Sequence, residues 1–482
     1  MRHYIRLSGA QVLALGLLLQ GCTVGPDYHR PAVAAVDGSW TSAAHVSDTA
    51  PVDIAPWRSL GDPVLTSLIE EAVAHNFDLR EAQANLRTAR AQRDAAAGHQ
   101  YPDLNAHAAA SEQQISANGE LPVNHIPQFN RRFSLYDVGF DASWEIDLWG
   151  GTRRTVEAAE RRTEAAAARQ HDTLLQVVAE VVRTYAQLRG SQANLAAARQ
   201  EAEAQNGVAN LIHQRFAAGD ASNLDDARAE SQAHSAVAAV AGIDAAVHAA
   251  ANELALLTGR PPEALAELAV SEGAIPLPPA SIPMGLRSDV LRRRPDIRAA
   301  EADLAAATSD IGAAKADLFP TVSLVGSLGQ QAQHPRGLVD GSSTYFNVGP
   351  SLHWPVFAGG SIRAQVRAAD ARADAAGARY EKAVLGALAD SETAANRYAA
   401  ARTTLDERAA ARARSAAALE MTRERYKKGD GDRVDVLQAE SAYEATDRAW
   451  VSAAQEALED YAALVKALGG GWEEQAGAVV QR

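Results

Sequence analysis

The sequence has little of what a thick globular core needs. Aromatic residues make up only 5% of its 482 positions, and the apolar 47% is dominated by alanine. Closely packed alanine-rich helices suit that composition better than a bulky core. There is one cysteine, Cys22, which excludes a disulfide framework and a thiolate metal cluster. Basic residues are in the minority: 46 Lys and Arg against 60 Asp and Glu give a formal charge of −14, which argues against nucleic acid as a partner. No apolar run reaches the roughly 20 residues of a membrane-spanning helix, so any membrane crossing falls to strands. The histidines are scattered, with no His-x-x-x-His, nucleophile elbow or phosphate loop, so the chain reads as no enzyme and calls for no cofactor. His334 and His353 read as surface or lumen residues.

What is present is two long stretches without a breaker, Thr152–Phe216 and Ser361–Tyr426. Each follows a Gly-Gly pair, holds no proline, and stops at a matched signal: Arg215-Phe216-Ala217-Ala218-Gly219 and Arg425-Tyr426-Lys427-Lys428-Gly429. Each predicts one continuous helix, and roughly 65 residues at about 1.5 Å each make a rod near 100 Å. Spacings of three and four place Leu174, Val177, Val181, Tyr185, Leu188, Gln192 and Leu195 on one seam. Val366, Ala369, Ala373, Ala376, Tyr380, Ala383 and Ala387 form the other, as in coiled coils.

The chain begins as a secretory signal peptide, residues 1–21, with Arg2 and Arg6 before the apolar run Val12–Leu19. The run ends in Leu19-Gln20-Gly21-Cys22, which resembles a bacterial lipobox. That resemblance implies that Cys22 carries diacylglycerol and palmitate, and more than one acyl chain gives stable anchoring. Thr23 follows, not the Asp that resembles an inner-membrane retention signal, so outer-membrane sorting is expected. Residues 22–62 read as an extended, lipidated segment on the outside of the fold.

The remainder is written twice. Asn76-Phe77-Asp78-Leu79-Arg80 is echoed by Arg294-Pro295-Asp296-Ile297-Arg298, and Tyr101-Pro102 by Phe319-Pro320, at an offset of 218. Past the strand regions the offset becomes about 210, as in Phe216 and Tyr426 or Gly259 and Gly469. Matched Pro and Gly positions mark a structural duplication. The expected organisation is a first repeat over 63–260, a Pro-rich linker over 261–285, a second repeat over 286–470 and a tail over 471–482. Each repeat reads as short helix, strand hairpin (about 102–149 and 320–357), long helix (152–216 and 361–426), turn and medium helix. The short and medium helices, end to end, come close to the length of the long one.

The hairpin regions alternate with period two. Phe140, Ala142, Trp144 and Ile146 oppose Gly139, Asp141, Ser143 and Glu145, and Phe346, Val348 and Leu352 oppose Asn347, Gly349 and Ser351. One apolar and one polar face is the pattern of an outer-membrane barrel. Four strands cannot close a barrel and an open edge cannot sit in lipid, so a membrane role demands an oligomer. Two chains would supply eight strands and three would supply twelve.

On these residues the chain resembles the TolC-like outer-membrane efflux channels, in the lipoprotein branch of NodT or OprM type. The resemblance is carried by Cys22–Pro31, Trp57 with Leu60-Gly61-Asp62-Pro63, Trp144–Gly150, Arg293–Glu301, Phe319-Pro320, Arg425-Tyr426 and Asp435-Val436-Leu437. It implies a mainly α fold with membrane β: a homotrimer whose duplicated long-helix hairpins form a helical barrel topped by a 12-strand outer-membrane barrel. It implies a passive conduit that carries drugs and toxic compounds outward. The partners implied are a periplasmic adaptor, an inner-membrane pump of RND type and outer-membrane lipid. A type I protein-secretion channel and a pore-less periplasmic coiled-coil lipoprotein are the alternatives. The resemblance further places a periplasmic gate at the helix turns, with Tyr426, Asp435, Asp225 and Arg433 as its residues and Gly219 and Gly429 in the adaptor-contact turns. The sequence departs from the family pattern nearby, with Gln438 where a second Asp ring would sit and Gly431 where an Arg is expected. Charge compensation at a helix N-terminus is the plainer role for Asp225 and Asp435.

Overall fold

The computed structural model describes residues 23–32, 40–41, 46–47, 56–117, 130–431 and 433–470. Cys22, the signal region and the tail lie outside them. In chain order the main elements are α1 (Pro63–His75), α2 (Phe77–Gly98), β1 (Asp103–Gln114), β2 (Arg132–Ile146), α3 (Gly151–Ala218) and α4 (Asn223–Leu257). Then come α5 (Ala266–Val270), α6 (Arg287–Arg293), α7 (Pro295–Ala316), β3 (Thr321–Ala332), β4 (Thr344–His353), α8 (Ser361–Lys427) and α9 (Arg433–Ala467). The two rods run for 68 and 67 residues without interruption. The chain divides into two compact units.

The first unit comprises Met1–Pro31, Arg87–Ala165 and Ala300–Tyr380. Its centre is one antiparallel sheet in the order β1-β2-β3-β4, so the two hairpins join through β2 and β3. The register puts Phe140 opposite Leu328 and Leu328 opposite Phe346, while Ala142, Gly326 and Val348 share the next row of that face. Paired residues lie on the same face of a sheet. The large apolar side chains therefore gather on one side, and they are exposed: Leu104, Phe140, Leu328, Phe346 and Leu352 are each more than half accessible. Where strand meets helix, Trp144 Nε1 donates to the Gln100 carbonyl at 3.0 Å and Trp354 Nε1 to the Leu318 carbonyl at 3.3 Å. The two bonds are copies of each other, at positions offset by 210 for the donors and 218 for the acceptors.

The segment after Cys22 is clamped onto this unit. The Val24 amide donates to the Trp149 carbonyl at 3.0 Å, Arg154 donates to Asp27 at 2.6 Å, and Arg30 Nε donates to Glu301 at 2.7 Å. Gly25 has φ +103°, and a Cβ there would stand 2.4 Å from the Gly312 Cα, so backbone approaches backbone where no side chain fits.

The second unit comprises Ala32–Leu86, Ala166–Ala299 and Glu381–Arg482. The main cluster of buried large side chains lies here. Leu65, Ile69, Leu174, Val178, Tyr185, Leu188, Leu254, Tyr398, Leu458 and Leu464 form a single buried core. The seam read from α3 is buried as its spacing requires, from Leu174 through Val177, Val181, Tyr185 and Leu188 to Leu195. Such residues typically lose about 2–5 kcal/mol when truncated to Ala. Helix α1 was not foreseen. Asp62 N-caps it by accepting from the Val64 and Leu65 amides, with Pro63 following, and its other oxygen accepts from the Tyr185 hydroxyl at 2.7 Å.

One expectation needs refining. The extended N-terminal segment does not only lie outside, because Trp40 is buried and its Nε1 donates to the Gly285 carbonyl at 2.8 Å. The Pro-rich connection between the repeats carries structure of its own. It holds a 3-10 turn, Pro262–Leu265, and α5, which bury Leu265 and Ala269.

Candidate functional site

Two parts of the molecule bear on function: the helix turns and the sheet. The turns are built alike. Gly219 (φ +85°) ends α3, with the Gly219 amide on the Phe216 carbonyl at 3.0 Å and the Asp220 amide on the Arg215 carbonyl at 2.8 Å. Gly429 (φ +80°) ends α8 with the Gly429 amide on the Tyr426 carbonyl and the Asp430 amide on the Arg425 carbonyl, both at 3.0 Å. This is the Schellman closure, and it needs a left-handed residue that glycine adopts without strain. Arg425 adds a second bond across its own turn, from Nη2 to the Asp430 carbonyl at 3.1 Å.

The chain then re-enters helix at once. Ser222 is the N-cap of α4 and Asp225 is its third residue. The Asp225 amide donates to Ser222 Oγ at 3.2 Å, while the Asp225 carboxylate accepts from the Ser222 hydroxyl at 2.6 Å and amide at 3.4 Å. This reciprocal capping box satisfies donors that the first helical turn leaves open. The Ser222 hydroxyl holds the Asp225 carboxyl below the usual range. Asp225 therefore has the plainer helix-terminal role in a single chain. Asp435 occupies the matching first turn of α9 and is exposed, as is Arg433 at the first helical position. Tyr426 is 42% exposed in the last turn of α8.

Sequence reasoning missed the ties that bind each rod to its return helix. In the first repeat His213 Nδ1 lies 3.2 Å and 3.3 Å from the two oxygens of the largely buried Asp226. In the second, Arg423 Nη2 donates to Glu440 at 3.0 Å. His213 and Arg423 are the same position in the duplication, but their carboxylate partners, Asp226 and Glu440, are not, so each hairpin is tied by a pair of its own. Ser222, three residues before Asp225, was the visible signal for the capping box. Nothing in the sequence pairs His213 with Asp226.

The second part is the four-stranded sheet. Its edge strands β1 and β4 each have one neighbour in the sheet, and its apolar face is exposed. A soluble protein manages both liabilities, whereas a sheet in lipid keeps the apolar face and pairs the edges.

Duplicated hairpins of very long helices, each joined to a hairpin of strands with an apolar outer face, define an outer-membrane channel of the TolC-like class. The chain belongs to the outer membrane efflux protein family, whose model matches residues 68–260 and 286–470. It is similar to outer membrane protein OprJ of Pseudomonas aeruginosa, 33% identical over 98% of both chains. Nodulation protein T of Rhizobium leguminosarum bv. trifolii is 30% identical over 96% of this chain and 97% of its own. Among solved structures, the outer-membrane channel OprN superposes with a TM-score of 0.82 at 36% identity, covering 94% of this chain and all of that one. The open-state MtrE channel of Neisseria gonorrhoeae superposes with a TM-score of 0.76 at 29% identity, over 94% and 99% of the two chains. The fold class, the outer-membrane location and the role as an efflux channel stand on these likenesses.

Proposed function

We propose that three copies of this chain form a passive conduit that carries small molecules, drugs and toxic compounds among them, out across the outer membrane. In this reading it receives them from a periplasmic adaptor and an inner-membrane pump of RND type, and it performs no chemistry itself. The observation that carries the reading is the sheet. Four strands with an exposed apolar face and two edges open to a neighbour are too few to close a barrel, and identical copies would supply the missing strands. Helix α4 adds support: contrary to the expectation from the sequence, it is apolar enough by length and composition to cross a membrane, yet it is mostly uncovered in the single chain. Packing against helices of further copies would cover it. The lipid anchor is supported by position: Thr23, next to Cys22, packs on Gly150 at the strand-to-helix junction.

At the turns, Asp225, Asp435, Tyr426 and Arg433 act as the closed gate when copies meet around an axis, and the Gly219 and Gly429 turns contact the adaptor. Carboxylates repeated about a narrow axis repel one another and favour cations. The test is purification from outer membranes followed by mass measurement in detergent and planar-bilayer recording. A trimer with discrete conductance steps is expected. A monomer that never conducts would return the pore-less lipoprotein reading.

A further inference from the structure

The polar face of the sheet holds a cluster that the gate and the anchor do not use. His107, Gly139, Gly329 and Tyr345 pair directly across β1, β2, β3 and β4 in a single row. The edge strands contribute two polar rings and the inner strands no side chain at all. A Cβ on Gly139 would stand 3.0 Å from the His107 ring, and one on Gly329 would stand 2.8 Å from the Tyr345 ring. Over this bare floor the rings lean toward each other until Tyr345 Oη and His107 Nε2 are 3.3 Å apart.

They converge on Asp137. Its carboxylate lies 2.9 Å from His107 Nε2, accepts from the Tyr345 hydroxyl at 3.0 Å, and accepts from the Gln331 amide at 2.8 Å. Asp141 lies 2.8 Å from His107 Nδ1. Each ring nitrogen therefore lies within 3 Å of a carboxylate oxygen, which favours the imidazolium over the neutral ring. The remaining charges on this face of the strands are few. The register adds the acids Asp103 and Glu145 and the base His353, with no Lys or Arg among the strand residues that share the face.

We propose that His107, held over the glycine floor by Asp137, Asp141 and Tyr345, sets the charge selectivity of the strand-lined part of the channel. As an imidazolium it offsets one of the four carboxylate charges in each copy, and so shifts how far that lumen favours cationic over anionic permeants. The inference rests on the channel reading above. It is distinct from the gate, because it lies in the sheet and the gate residues lie in the helix turns.

The experiment is reversal-potential measurement on the full-length protein in planar bilayers across a tenfold KCl gradient. His107→Gln is expected to raise the cation-to-anion permeability ratio several-fold. Asp137→Asn should lower it, and His107→Lys, which keeps the charge, should stay near wild type. Wild-type ratios in both His107→Gln and Asp137→Asn, with normal conductance, overturn this inference and leave the channel reading standing. A wild-type protein that passes no current overturns both.

Discussion

Asn76 and Leu257 are joined end to end: Asn76 Nδ2 donates to the Leu257 carbonyl, the last of α4, at 2.9 Å. The same side chain accepts from the Leu79 amide at 3.1 Å and so caps the start of α2. One buried residue thus closes one helix and opens the next. In the second repeat, Arg294 Nη1 donates to the Ala467 carbonyl at 2.9 Å, although Arg is a different side chain. Asn76→Ala leaves the Leu79 amide and the Leu257 carbonyl unmet. A loss of about 1–2 kcal/mol is expected, read as a lower thermal midpoint by circular dichroism in detergent. An unchanged midpoint would mean that this joint does not hold the repeat together.

The turns separate two roles for one residue. If Asp225 serves the gate, Asp225→Ala with Asp435→Ala raises single-channel conductance and weakens cation preference. Ser222→Ala removes the cap while leaving both carboxylates, and is expected to lower helical stability without opening the channel. Equal conductance in all three proteins would leave Asp225 a capping residue only.

Asp172 gives a pH dependence of definite sign. Burial, with Asp296 nearby, raises its pKa, and Gln176 donates to it at 2.7 Å. A raised folded pKa means the fold disfavours the carboxylate, so its cost is present above that pKa and vanishes below the ordinary value near 3.8. Asp172→Asn keeps an acceptor for Gln176. Chemical denaturation should find the variant more stable than wild type at pH 7 and no more stable at pH 3. An equal advantage at both would refute the assignment.

Cys22 is tested by chemistry. Cells fed radioactive palmitate should label the wild type, and Cys22→Ser should carry no label. The clamp formed by Val24, Asp27 and Arg30 on Trp149, Arg154 and Glu301 is made by protein groups alone, so the unlipidated protein is expected to fold and conduct. Label persisting on Cys22→Ser would remove the lipoprotein assignment.

The features legible in the sequence were those written locally. Alanine seams at spacings of three and four, glycines ready for positive φ at 219 and 429, and period-two strands each state their structure within a few residues. The face on which Phe140, Leu328 and Phe346 meet followed from alternation alone, since pairing preserves the face. What could not be read joins residues far apart in the chain. The Asn76 bond spans 181 positions, and His107 meets Tyr345 across 238. Trp40 lay in an Ala- and Pro-rich stretch with no period to announce its burial. Helix α1 was readable from Asp62-Pro63, an N-cap followed by proline, but the longer helices drew the pattern away from it. A gate ring is a property of several chains about an axis, which no single sequence position displays.

The duplication is faithful at the turns and unequal at the hairpins. The Schellman turns at Gly219 and Gly429 repeat in their backbone bonds, whereas β1 and β2 are joined through residues 115–131 and β3 and β4 through the shorter 333–343. In an assembly of three chains the turns amount to six nearly identical units, while the strand connections alternate long and short. A trimer, as proposed above, would thus present approximate sixfold symmetry to whatever meets its turns and strict threefold symmetry to whatever meets its strand loops, so partners at the two places would face different matching problems.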